Sequence, residues 1–270
     1  MNWITKFILL ACAVLGITGT QTLAHVGYSG RDFSTLMYNS DGSSKTVTIA
    51  TQTISSGFGW ADATDSDWGD SHRGRFFRFT LSGSGDVQIT AQRNDLLGTF
   101  LPAFSLYSGL GQLAPEQGGH DSATFSIDNR PVGTEGSLRA LGNWSIGNDP
   151  TYNTAGDPTS GILYASRLAY FKYIGNAADG TSANYGSAAG IFGDGNADGY
   201  LTATFSGLVA GDYTLWVGGA NYGLQSTETG PTTFPTYGVT VSAALVPEPS
   251  TGSLILGGAA LLAFLRRRKG

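Results

Sequence analysis

The sequence predicts an all-β protein, an antiparallel β-sandwich or jelly roll, and three observations predict it. Apolar residues alternate with polar ones over short runs, the period of strands half-buried in a sheet. Gly-Asp and Gly-Ser clusters separate these runs and supply tight turns. Glycine is abundant, at 40 of 270 residues, and no long helical periodicity interrupts the body.

In chain order, Val47 and Ile49 alternate with threonines. Phe77, Phe79 and Leu81 share one face of the next run, while Phe76, Arg78 and Thr80 take the other. The breaker Ser82-Gly83-Ser84-Gly85-Asp86 follows, and then Val87, Ile89 and Ala91 resume the alternation. Phe104 and Leu106 form a further run, closed by Ser108-Gly109. The segment Ile162 to Ile174 reads as a strand because of its tyrosines and bounding glycines, with a short helix as the alternative. Leu201, Ala203 and Phe205 come next, then the breaker Ala210-Gly211-Asp212, then Tyr213, Leu215 and Val217, and finally Tyr237, Val239 and Val241. Two antiparallel sheets built from these runs would each bury one face and leave a threonine face wet.

Phe79 to Ile89 and Phe205 to Leu215 echo each other, each running from a Phe through Gly-Asp into alternating apolar residues. Two equivalent hairpins in one sandwich are expected, with two subdomains meeting near Asp128 to Pro158 as the alternative. The stretch Phe76 to Leu110 resembles the jelly-roll modules appended to secreted bacterial enzymes, a likeness of pattern that transfers no function.

Both chain ends stand apart from this body. Lys6 precedes the apolar run Phe7 to Ile17, and Thr22-Leu23-Ala24 supplies a small-residue cleavage site, so residues 1–24 read as a secretory signal peptide cut between Ala24 and His25. The Sec translocon is the expected partner. Cys12, the one cysteine, lies in that run. A lipoprotein cut before Cys12 would leave too short an apolar core, and a cut after Ala24 leaves a mature chain with no disulfide and no thiolate metal site. The exported body spans residues 25–244.

Residues 245–270 form the third region. Thr251 to Leu265 carries no charge over fifteen residues, about 22 Å as a helix, which makes a short transmembrane helix against a bilayer core of about 30 Å. Arg266, Arg267, Arg268 and Lys269 form a basic membrane stop that keeps the tail cytoplasmic and the body outside. Directly before the span stand Pro247, Glu248 and Pro249, an extended, proline-restricted segment. This order of Pro-Glu-Pro, apolar helix and arginine cluster resembles the PEP-CTERM sorting signal. The resemblance implies recognition by an exosortase, a membrane transpeptidase-like enzyme of Gram-negative bacteria that make extracellular polysaccharide. It also implies processing near Pro247 to Pro249, and a final place at the cell surface or in the biofilm matrix.

Charge limits the partners. The whole chain has a formal net charge of −5. With Lys6 and the tail cluster removed, ten basic residues face twenty acidic ones, a net charge near −10 with Glu248 of the tail region counted. Nucleic acid is excluded, because phosphate binding needs a basic face.

Three local patterns offer chemistry. Asp194, Asn196 and Asp198, with the carbonyl of Tyr200, match the first half of a calcium loop, in which oxygen ligands alternate around a Gly at the sixth position. Phe205 stands where the bidentate acid belongs, so an EF-hand is excluded and a Ca²⁺ site would need a remote carboxylate such as Asp179; a plain Asx/Gly turn is the competing reading. Trp60 and Trp68, interleaved with Asp62, Asp65, Asp67 and Asp70, are candidate glycan contacts, since indoles stack on sugar rings; Trp144 is a further one, and a solvated loop is the alternative. His25 at a new N-terminus, with His72 or His120, has the ligand types of a copper brace, resting on isolated histidines. No Gly-x-Ser-x-Gly elbow and no His pair at ligand spacing is present.

The expectation is therefore a non-enzymatic surface or matrix protein, sorted through its tail and associated with exopolysaccharide. A calcium-stabilised glycan-binding module and a secreted hydrolase or copper enzyme are the alternatives.

Overall fold

A computed structural model describes residues 26–61, 68–94, 98–111, 125–126, 137–147, 169–181, 191, 193–228 and 235–247. Its strands are β1 (Asp32–Leu36), β2 (Val47–Ser55), β3 (Trp68–Asp70), β4 (Arg75–Leu81), β5 (Gly85–Arg93), β6 (Pro102–Ser108) and β7 (Phe125–Ser126). They continue with β8 (Ser137–Arg139), β9 (Trp144–Gly147), β10 (Ala169–Ala178), β11 (Tyr200–Leu208), β12 (Gly211–Gly219) and β13 (Thr236–Val246). One sheet has the order β1-β4-β12-β6-β10-β9-β7, a second β11-β5-β13-β2, and β3 pairs with β8 alone. Every pairing is antiparallel except β1 with β4.

The alternating runs become these strands because burying one side of each is the main favourable term. Phe77, Phe79, Leu106, Tyr213, Leu215 and Val217 from the larger sheet meet Val87, Ile89, Leu201, Phe205, Val239 and Val241 from the smaller one in a single apolar layer. Ring pairs tighten it, with Phe79 stacked on Tyr213 at 5.0 Å and Phe100 on Tyr237 at 5.3 Å. Of the segment 162–174, residues 169–174 lie in β10, as a strand; the rest falls outside the described residues.

The expectation of one wet face per sheet holds only for the smaller sheet. A second cluster of Trp60, Phe76, Tyr107, Trp144, Phe171 and Trp216 covers the other face of the larger one. Accordingly β12 is buried from Tyr213 to Gly219 and β6 from Pro102 to Tyr107, the burial of strands covered on both sides. Packing there is close. A Cβ on Gly74 would run into the Trp216 ring and the Val217 carbonyl, so only glycine fits.

The internal echo also has a different basis from the expected hairpins. β4 and β5 lie in different sheets, as do β11 and β12, so each echoing segment is an arch that crosses the sandwich. The two arches pair with each other, Leu81 facing Gly211 in one sheet and Gly85 facing Leu208 in the other. Like sequences occur because both ends of this closure need a Phe-anchored strand, a Gly turn and a second strand of opposite facing.

At the far end of the sandwich Glu228 is buried. Its carboxylate accepts hydrogen bonds from Ser56 Oγ at 2.7 Å, the Gly57 N–H at 2.8 Å and the Tyr237 hydroxyl at 2.5 Å. Three donors satisfy a charge that burial alone would make costly.

Candidate sorting site and neighbouring surfaces

The last strand of the body leads directly into the Pro-Glu-Pro segment. Along β5, Val87 faces Leu245 and Asp86 faces Val246. On the β2 side the ladder stops at Ala243, and the β1–β2 connection takes over. Ser44 Oγ donates to the Leu245 carbonyl at 2.7 Å, and the Tyr38 hydroxyl donates to the Val246 carbonyl at 3.0 Å. Pro247 has no N–H, so the ladder cannot continue through it. An open groove of about 180 Å³ lies beside this exit, lined by Leu36, Met37, Tyr38, Leu81, Leu245 and the 82–84 turn.

Glu248, Pro249, the basic stop Arg266 to Lys269, and the cleavage pair Ala24 and His25 lie outside the described residues. Among the described residues no helix is long and apolar enough to cross a membrane, and Thr251 to Leu265 is not among them.

The acidic loop is drawn together with Asp179 at its centre, and both Asp179 oxygens and the Oδ1 atoms of Asp194 and Asp198 accept from the backbone. Asp179, at the end of β10, is buried and accepts the N–H groups of Gly199 at 2.6 Å and Asp198 at 3.2 Å. Asp194 Oδ1 accepts from the N–H of Asn196 at 3.0 Å and of Gly180 at 3.2 Å, and Asp198 Oδ1 accepts from the Tyr200 N–H at 2.9 Å. Gly199, at φ +80°, lets the chain fold under Asp179 and against the Arg93 guanidinium. Burial pushes the Asp179 carboxyl up to about 6; the two N–H bonds oppose that and the nearby Asp194 and Asp198 charges add to it. A hard cation needs several oxygens converging on one point; here Asp194 Oδ1 and Asp198 Oδ1 each accept from the backbone, the bonding of consecutive Asx turns. Among the described residues no three His, Cys, Asp or Glu side chains are grouped to hold a metal ion. The hydrogen bonds match the Asx-turn reading, and no grouping that would hold calcium is seen among the described residues.

The tryptophans expected to face sugar do not. Trp60 is fully buried, its Nε1 donating to Ser105 Oγ at 2.9 Å while its carbonyl accepts from Trp216 Nε1 at 3.0 Å. Trp68 is buried beneath the Arg139 guanidinium, and Trp144 lies stacked on Phe171 at 4.1 Å. An indole whose faces are packed cannot stack on a glycan; Trp60 and Trp144 are part of the cluster that covers the large sheet's second face. Asp62, Asp65 and Asp67 lie outside the described residues. Asp70 is held by His72 Nδ1 at 2.9 Å and Arg73 Nε at 3.0 Å. His25 and His120, the other copper-brace candidates, lie outside the described residues.

Comparison with known proteins decides the C-terminus, where residues 245–269 match the PEP-CTERM protein-sorting motif. The chain carries a PEP-CTERM sorting motif. No curated protein sequence matches the chain. Among solved structures it is similar to CorA, a surface-associated copper-binding protein important in copper acquisition by Methylomicrobium album BG8, with 16% identity, 79% of this chain and 98% of that chain covered, and a TM-score of 0.45. It is also similar to the secreted protein MopE of Methylococcus capsulatus, in which an oxidized tryptophan facilitates copper-binding, with 18% identity, coverage of 80% and 87%, and a TM-score of 0.45. Likeness at that level assigns no function to this chain.

The PEP-CTERM match begins at residue 245, so its first two residues are also the last two of β13. The motif thus starts inside the folded sheet with no linker between. Ser44 and Tyr38, which hold those two residues, escaped the sequence reading: a single Ser and a single Tyr in a turn-rich connection carry no periodic or motif signal.

Proposed function

We propose that this protein is an exported, non-enzymatic β-sandwich that enters the envelope through the Sec translocon. An exosortase-type membrane enzyme processes its PEP-CTERM motif, and the body finishes at the cell surface or in the extracellular matrix in contact with exopolysaccharide. One observation carries the reading: the sorting motif is continuous with the final core strand. A body joined this way is delivered as a folded unit, with Pro247 at its rim and the short apolar segment beginning four residues beyond it. The non-enzymatic part is supported by how the polar groups are used. The buried carboxyl groups of Asp179 and Glu228 are engaged by backbone and hydroxyl donors, which tie loops to the sandwich.

The test is the mass of the mature C-terminus in a host with and without its exosortase. Truncation near Pro247 to Pro249 is expected only where the enzyme is present. An identical, unprocessed C-terminus in both hosts would overturn the reading.

A further inference from the structure

The outer face of the β11-β5-β13-β2 sheet is an array of hydroxyl and amide side chains in register. At its centre Thr202, Thr90, Ser242 and Thr48 form one row across all four strands, each paired with the next. Thr90 and Thr202 share a hydrogen bond of 3.0 Å, and Thr48 and Ser242 one of 2.9 Å. In the row on one side Gln92 stands between Tyr200 and Thr240, and in the row on the other Gln88 stands between Thr204 and the small, buried Ala244. Gln88, Gln92, Thr202, Thr204 and Thr48 are exposed, and the Tyr200 ring is 49% exposed.

No charged side chain lies in these three rows. Charged groups stand at the margins, among them the exposed Asp198, whose Oδ1 accepts from the Tyr200 N–H at 2.9 Å. Asp86 accepts from the Gly207 N–H at 2.8 Å and Ser206 Oγ at 3.1 Å, while Arg93 donates to the carbonyls of Phe100 at 3.1 Å and Asp198 at 3.0 Å. The larger sheet has its second face covered by the tryptophan cluster. The smaller sheet therefore presents the broad polar face of the sandwich.

We propose that this face binds a neutral polysaccharide. The proposal rests on the surface and matrix reading above and gives it a location and a ligand class. The chemistry is complementary. A neutral glycan offers hydroxyls that donate and accept, as Thr, Ser and Gln side chains do, and the three rows themselves carry no charge to select a polyanion or a polycation. The half-exposed Tyr200 ring supplies the apolar body on which a sugar ring stacks. Four strands about 4.8 Å apart make an array about 14 Å wide, room for a chain of several sugars. Cross-strand Thr pairs also stabilise a sheet, but that role asks neither for glutamines in the flanking rows nor for an uncovered tyrosine at their end.

The experiment is affinity electrophoresis of the full chain in gels containing hydroxyethylcellulose as the neutral polysaccharide or alginate as the anionic one. Wild type is expected to be retarded by the neutral polymer only. Tyr200→Ala and the double substitution Thr90→Val with Thr202→Val are expected to lose at least tenfold in apparent affinity. The valines keep β-branching and strand preference, and the cooperative melt of each variant reports on its folding. Retardation by hydroxyethylcellulose that both variants retain would overturn the assignment to this face. Retardation by alginate alone would overturn the neutral ligand class. Neither result touches the matrix reading. Absence of retardation by either polymer would overturn both the binding face and exopolysaccharide contact, while exosortase processing is read separately from the C-terminal mass.

Discussion

Asp179 should make folding stability fall as pH rises from about 4 to 7, opposite to the usual behaviour of a paired carboxylate. Its carboxyl is buried and is pushed from 3.8 to about 6. A folded-state value above the unfolded one means that the native chain holds the proton more tightly. The stabilisation is thus complete below the unfolded value of 3.8 and is lost as pH rises through about 6. At ~1.4 kcal/mol for each tenfold change, the full effect is on the order of 3 kcal/mol, of which about 2 to 3 falls between pH 4 and 8. Other carboxylates run the opposite way. In Asp32 burial is outweighed by hydrogen bonds from Arg78 and the Ser34 N–H, and in Asp70 by His72 and Arg73, so both are held below the ordinary range. The effect must therefore be isolated by difference. Urea unfolding of wild type and Asp179→Asn across pH 4 to 8 does this. Asn cannot accept from both the Gly199 and Asp198 N–H groups, which offsets the variant by about 1 kcal/mol at every pH. Against that constant offset the variant should gain about 2 to 3 kcal/mol on wild type as pH rises. Parallel profiles would show that the carboxyl titrates in the fold as it does in the unfolded chain, and would refute the buried-acid argument.

Two further outcomes follow from the same geometry. Trp60→Ala should cost about 3 to 5 kcal/mol in denaturant unfolding, because it empties a fully buried site between the large sheet and its cover, while leaving hydroxyethylcellulose retardation of the folded fraction unchanged. Calcium in millimolar excess should leave the urea midpoint of the wild type where it is, since the Asp194 and Asp198 carboxylates face backbone donors. A site filled at a hundredfold over its dissociation constant would instead add about 2.7 kcal/mol, and a gain of that size would restore the calcium reading.

Much of the fold was legible in the chain. The inward positions of the alternating runs, from Phe77 to Val241, all reached the shared core, because a two-residue period leaves a strand only one choice of face. What did not show was which surfaces a strand would meet. Trp60, Trp68 and Trp144 sit among acids, glycines and polar residues, the local composition of a solvated loop, and only long-range packing buries Trp60 and Trp144 in the cluster over the large sheet and Trp68 beneath Arg139. The calcium motif is ambiguous for a related reason: alternating Asp and Asn with Gly is also the composition of consecutive Asx turns, and the partner of each oxygen is set by how the loop closes. Asp179 was found because it was the nearest acid in a Gly-rich segment.

The sequence by itself determined an all-β body and the PEP-CTERM motif at its end, since both are patterns of neighbouring residues, a period and a short ordered string. Tertiary structure decided which faces stay wet and which carboxylates lie buried. It also joined the motif without a break to the core strand β13. Those properties come from contacts between strands far apart in the chain, such as Thr48 with Ser242 and Tyr38 with Val246, and no local pattern encodes the register that creates them.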